Sequence, residues 1–245
     1  MSDSIVIVVG QGEIGKPLRK ILGRTYHCIG VDIEPIEVAA PCSTLHICYP
    51  YQMPDFVGTT VAYIRKYKPQ LTIINSTVVP GTTRQVYDAS GVKLAYSPVR
   101  GKHVRMEEDL LRYRKFVAGI DDIASNLALE HLTAAGFCTD RFGTPEIGEL
   151  AKLIETTWLG ILIGWAQEVE RFAESYGASF EEVNAFIKEV DLLPSHIFPG
   201  RIGGHCVMPN IELLQESVQS QFLDAAVVSN TRKEQALLNS LAKVA

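Results

Sequence analysis

The run Pro199-Gly200-Arg201-Ile202-Gly203-Gly204-His205-Cys206-Val207-Met208-Pro209-Asn210 sets one thiol among three glycines and two prolines. Glycine favours positive φ and proline removes a backbone donor, so the run is expected to be a loop. An apolar helix is expected from near Ile211. That places Cys206 close to a helix N-terminus, where the positive end of the dipole favours the nucleophilic thiolate. A buried structural cysteine in a Gly-rich turn would give the same sequence, so the loop alone leaves both readings open. A second chemical group lies upstream. Glu149, Lys152 and Thr156 share one stripe of a helical pattern that is otherwise apolar, and the lysine there reads either as a functional ammonium or as a snorkelling partner of Glu149 or Glu155.

A third group sits near the start. Ser4 to Val9 is a short β-branched run expected to be a fully buried strand, and it leads directly into Gly10-Gln11-Gly12-Glu13-Ile14-Gly15 and a helical pattern. In that context each glycine has a task. Gly10 makes the turn, Gly12 lets a pyrophosphate approach the backbone, and Gly15 lets the helix pack on the strand. Cys28 to Asp32 reads as the second strand, and it ends in an acid about twenty residues after the motif, suited to adenosine ribose hydroxyls and unfavourable to a 2′-phosphate. NAD is therefore expected over NADP. Two further loops carry groups able to touch a ligand: Tyr49-Pro50-Tyr51, and the run from Ser76 and Thr77 to Thr83. Helix capping is the plain alternative for Ser76 and Thr77.

The elements that must position these groups follow from patterning. Strands are expected at Leu45–Tyr49, Leu71–Asn75, Lys93–Tyr96 and Lys115–Ile120, with a short one around Phe137–Thr139. A crossover helix is expected at Phe56–Tyr67 and another from Asp122 to Ala135. Strands alternating with helices predict an α/β domain, doubly wound around a parallel sheet, over residues 1–144, followed by an all-helical domain over 145–245. Glu146 to about Tyr176 reads as one long helix. Its Leu150, Leu153, Ile154, Trp158, Ile161, Leu162 and Trp165 cover a wide arc, which predicts burial on more than one side. Gly160 and Gly164 suit a close helix crossing, and a homodimer through this helix is expected. Phe180–Val190, Ile211–Ser217 and Leu223–Leu241 complete the helices, with Leu192-Leu193-Pro194 leading toward the glycine loop.

The chain has 245 residues, 47% hydrophobic and 21% charged, with a formal net charge of -5. No basic patch invites nucleic acid, and the run Glu107 to Lys115 mixes both signs as a solvated helix face does. Five cysteines without a CxxC pair point to a reducing compartment, and no apolar stretch suits a signal peptide or a membrane span, so a cytoplasmic protein with a small-molecule substrate is expected. His27, His46, His131 and His196 lack metal-ligand spacing and read as structural or exposed, so no metal is expected.

Taken in order, Gly10 to Gly15, Ser76 to Thr83, Ser97-Pro98, Glu149-Leu150-Ala151-Lys152-Leu153, Gly200 to Cys206 with Pro209, and Ala225-Ala226 with Asn230 resemble the UDP-glucose/GDP-mannose dehydrogenase family. The resemblance covers the family's first two domains, without the C-terminal nucleotide-binding domain. It implies a Rossmann domain followed by a 6-phosphogluconate dehydrogenase-like helical domain, NAD as cofactor and a nucleotide sugar as substrate. It implies Cys206 as the nucleophile that carries a thioester, Lys152 as the group that stabilises the oxyanion, and Thr77 near the cofactor. Thr156 and Asn210 occupy helper positions where the family has asparagine and aspartate, and Val99 stands where it has glutamate. These three changes remove groups that could move a proton during thioester hydrolysis. Two other readings stay open: a single-step hydroxyacid dehydrogenase of the 6-phosphogluconate dehydrogenase-like type, which also uses a helix lysine, and an NAD-binding protein that has lost turnover.

Overall fold

Ile5–Val9 (β1) is β-branched at every position and buried throughout, which only a strand covered on both faces can satisfy. In the computed structural model, which describes residues 4–32, 34, 36–191, 194, 196–204 and 206–242, it is the second strand from one edge of a seven-stranded sheet. Leu192, Leu193 and His205 fall outside the described residues. The chain continues through α1 Gly15–Leu22, β2 Cys28–Val31, β3 Cys42–Ile47, α2 Phe56–Tyr67, β4 Leu71–Ile74, α3 Thr82–Ser90, β5 Leu94–Tyr96, α4 Met106–Arg112, β6 Lys115–Gly119, α5 Asp122–Ala134 and β7 Thr139–Arg141. The strand order is β2-β1-β3-β4-β5-β6-β7. The order reverses between β1 and β3, so their carboxyl ends flank the crevice where open α/β sheets take ligands.

Side-chain alternation splits the core into two layers. Ile5, Ile7 and Val9 join Leu45, Ile47 and Ile74 beneath α2 and α3, whereas Val6, Val8, Ile73 and Val117 pack with Leu18 and Ile21 of α1 and Leu132 of α5. One pairing departs from the expected parallel sheet: β6 runs antiparallel to β5, with Tyr96 opposite Ala118. The cause lies in the connection. It holds a short helix, α4, packed beside α1, where Glu107 pairs with Lys20 and Arg24, and the chain re-enters the sheet as β6 beside the end of β5, with Lys115 Nζ 2.6 Å from Ser97 O.

The chain divides into two compact units, residues 1–152 and 153–245. α6 Pro145–Ser175 begins in the first, because Glu149 on its second turn is fully buried there. The second unit adds α7 Phe180–Lys188, α8 Val207–Gln215 and α9 Gln221–Ala242. A capping box between Ser179 and Glu182 starts α7. The wide apolar arc expected on α6 is only partly covered. Leu153 is buried, but Ile154, Trp158 and Trp165 are 50%, 63% and 60% exposed. Small and polar residues take the inner face instead. A Cβ on Gly160 would lie 2.8 Å from Val207 and 2.9 Å from Ile211 of α8, and one on Gly164 would lie 3.3 Å from Ala226 of α9.

Gly160→Leu is therefore expected to lower the unfolding free energy by about 2 kcal/mol, as overpacking does, although leucine is the better helix former. Urea unfolding of the variant beside the wild type checks this.

Candidate functional site

Gly10 ends β1 at φ +91°, and its N–H donates to Val31 O at 2.8 Å. A Cβ there would lie 2.7 Å from Tyr49 N, and one on Gly15 would lie 1.7 Å from Gly10 O. The fold itself requires both glycines. Gly12 differs, because a Cβ on it would meet no protein atom within 4 Å. Gln11 donates its backbone N–H to Asp32 Oδ1 at 3.4 Å and its side-chain amide to Val8 O at 2.8 Å, which ties the turn to the end of β2. Asp32 and Glu13 are exposed and Ile14 half-buried. Glu13 pairs with His103 Nδ1 at 2.5 Å across the turn. Gly10 to Gly15 and Asp32 thus gather at one edge of the sheet.

Two expected ligand groups have their side chains committed elsewhere. The Tyr49 hydroxyl bonds Thr60 Oγ1 at 2.6 Å and its ring packs on Phe56, so it is a core aromatic of the α2 layer. Ser76 is buried and donates to Tyr49 O at 2.6 Å, which fastens the loop after β4 to the loop after β3. Pro50 is exposed and Thr77 half-buried at that edge. Sequence reading missed the residue that sets this loop. Both oxygens of Glu149 accept hydrogen bonds from the start of α3: Gly81 N at 2.6 Å, Thr83 N at 2.8 Å and Thr83 Oγ1 at 2.6 Å. Burial raises its carboxyl to about 7, against the lowering effect of those donors. Lys152, one turn on, is half-buried.

In the second unit, Cys206 is the N-cap of α8, which begins at Val207, four residues earlier than expected. Pro209 was read as a breaker, but it lies in the first turn, where its missing N–H breaks no helical bond. Asn210 is consequently a buried helical residue, and its N–H closes on Cys206 O at 3.0 Å. Two polar residues hold the preceding loop. Asn230 of α9 accepts from Ile202 N at 2.8 Å and donates to Ile202 O at 3.1 Å, as a neighbouring strand would. Gln167 donates to Gly200 O at 2.8 Å. The signal for Gln167 was an amide inside an apolar helical arc. Thr156 is half-buried on α6.

The central-domain model of the UDP-glucose/GDP-mannose dehydrogenase family matches residues 146–235, which hold Lys152, Thr156, Cys206 and Asn230. By sequence, this segment is similar to the central domain of those enzymes. A UDP-N-acetyl-D-mannosamine dehydrogenase of Methanocaldococcus jannaschii is 27% identical over 168 residues, 62% of this chain. The match spans 37% of that relative's length. Among solved structures, the UDP-D-ManNAc dehydrogenase from Pyrococcus horikoshii superposes with a TM-score of 0.83 at 20% identity, covering 98% of this chain and 72% of that one. The Mycobacterium tuberculosis 3-hydroxyisobutyrate dehydrogenase gives 0.70 at 17% identity, covering 94% of each. These likenesses establish the Rossmann and helical architecture. Among the described residues no helix is long and apolar enough to cross a membrane.

Glu149→Gln keeps the shape but places an NH2 group against an N–H, so it is expected to cost about 1–3 kcal/mol at pH 5. Because folding raises the Glu149 pKa, its contribution to stability is full below the unfolded value of about 4.5 and is lost as pH rises through about 7. Unfolding free energies measured from pH 5 to 8 should fall more steeply with pH in the wild type than in Glu149→Gln.

Proposed function

We propose that the chain is an NAD-dependent oxidoreductase acting on a CH–OH group, of the nucleotide-sugar dehydrogenase type. The observation that carries this reading is Gly12. The fold demands glycine at positions 10 and 15, whereas at 12 a side chain would meet open space, so the glycine there is explained by close approach of a ligand to the turn rather than by packing. The turn fits a dinucleotide, because its backbone is open to a pyrophosphate and the exposed Asp32 lies at the end of β2 to meet ribose hydroxyls. NAD, when bound, supplies the hydride acceptor. The chain's residues do the remaining work. Asp32 disfavours a 2′-phosphate, and Ser76, with the loop held by Glu149, sets the edge that carries Thr77.

Cys206 is assigned as the nucleophile, at a helix start that favours the thiolate, and Lys152 as the cation that stabilises a developing oxyanion. Thr156 and Asn210 orient rather than exchange protons, and Val99 is buried and apolar. The reading therefore commits to hydride transfer and assigns no residue to thioester hydrolysis. The substrate is a small molecule of the nucleotide-sugar class. Ile147, Ile154, Trp158, Trp165 and Phe172 form an exposed apolar stripe along α6, which supports a homodimer through that helix. A single-step hydroxyacid oxidation is the second reading, favoured by the likeness to 3-hydroxyisobutyrate dehydrogenase over nearly the whole of both chains.

NADH formation, followed with NAD and a panel of UDP-sugars, GDP-sugars and hydroxyacids, tests the proposal. Turnover lost in Cys206→Ser supports the covalent route, whereas turnover retained there selects the single-step reading. Gly12→Ala is expected to unfold within about 0.5 kcal/mol of the wild type yet to bind NAD at least about tenfold more weakly. Unchanged NAD affinity in that variant would overturn the cradle.

A further inference from the structure

Lys115 opens β6 and is 3% exposed, a position in which lysine is rare without partners. Its Nζ lies 2.6 Å from Ser97 O, 3.0 Å from Pro98 O and 3.2 Å from Asn75 Oδ1. Three acceptors take all three donors of an ammonium, and a neutral amine would turn a lone pair against one of them. The acceptors belong to the segments that leave β4 and β5 at the carboxyl edge, so one cation joins the loop bearing Ser76 and Thr77 to the loop bearing Val99.

The bonding continues inward. Asn75 Nδ2 lies 3.1 Å from both Ile73 O and His46 Nδ1. Lys115 can only donate and Ile73 O can only accept, so the amide has one orientation, with its NH2 facing His46. His46 Nδ1 is then an acceptor and the proton sits on Nε2, which donates to His131 Nε2 at 3.0 Å. His131 must therefore carry its proton on Nδ1. These two histidines, which the sequence reads as structural or exposed, are a bonded pair, fully buried at His46. His131 stacks on Tyr26 and lines a cavity of about 520 Å³ at the amino edge, with Ser43, Gln70, Lys93 and Glu130.

We propose that Lys115 is a positioning residue for the cofactor edge, and that its charge fixes the direction of a hydrogen-bond chain through Asn75 and His46 to His131. The inference rests on the reading of that edge as a cofactor site. A proton on His131 Nε2 would face the proton on His46 Nε2. Accepting it requires His46 to change tautomer and Asn75 to turn its NH2 toward the ammonium, where donor meets donor. Charge on Lys115 and charge on His131 therefore oppose one another, although the strands of the sheet separate them. The groups around this chain act in known directions. Burial brings Lys115 down to about 7, with Cys48 opposing and Lys152 and Arg100 adding to the lowering. Cys48 is itself pushed up to about 12 by burial. Burial brings His131 down to about 4, and burial, His131 and Lys115 together keep His46 neutral.

The test uses the full chain with 15N-labelled histidine. Imidazole NMR of the wild type should show His46 as the Nε2–H tautomer and His131 as the Nδ1–H tautomer. In Lys115→Met, the His131 titration should move up toward the ordinary histidine range, amide exchange across residues 76–81 and 97–100 should quicken, and NADH should bind on the order of tenfold more weakly. His131→Phe cuts the chain at its cavity end and should leave His46 as the Nε2–H tautomer, because Lys115 and Asn75 still set it, and this reading stands even if Lys115→Met does not fold. An Nδ1–H tautomer at His46 in the wild type, or mixed tautomers in His131→Phe, would overturn the proposal. The tautomer readings require no cofactor. A wild type that shows them but binds no NADH would sink the functional reading and leave the chain of bonds standing.

Discussion

The carboxylate of Glu149 is the contact on which the arrangement of the candidate site depends. A helix start leaves backbone N–H groups without partners, and α3 begins after Gly81, which has no side chain to cap it. Glu149 reaches across from α6 to supply the missing acceptor. One buried acid thus caps one helix with another and fixes the loop between β4 and α3. The cost is a carboxylate held away from water, and three donors offset it.

The second unit solves a similar problem without charge. The segment before Cys206 makes no ladder of its own, yet Ile202 has both backbone groups satisfied by the Asn230 amide. An amide offers a donor and an acceptor side by side, as a peptide unit does. The Gln167 amide adds one bond, donating to Gly200 O. Gly160 and Gly164 allow this, because side chains there would keep α8 and α9 at a greater distance.

Much of this was legible in the sequence where local chemistry decides the outcome. The β-branched run, the three glycines and the acid of Asp32 each dictate their own conformation, and α2 and α6 begin and end close to where their patterns do. What could not be read depends on partners distant in the chain. Nothing near Tyr49 indicates that its hydroxyl turns to Thr60, and nothing near Glu149 indicates α3. The direction of β6 depends on where the chain re-enters the sheet after α4, which the seven residues of that helix do not specify. Pro209 misled because a proline ends a helix in its interior but is accepted in its first turn. The apolar residues of α6 were recognised as a wide arc, but periodicity does not say which part of an arc is covered.

Gly12 carries an implication for the history of such chains. Folding constrains Gly10 and Gly15 by collision and leaves Gly12 untouched, so the three positions are maintained by different pressures. In a descendant that had abandoned its ligand, side chains would accumulate at position 12 while 10 and 15 stayed fixed by the need to fold. If the turn is the cofactor cradle proposed above, the residue at that one position reports on binding separately from whether the fold survives.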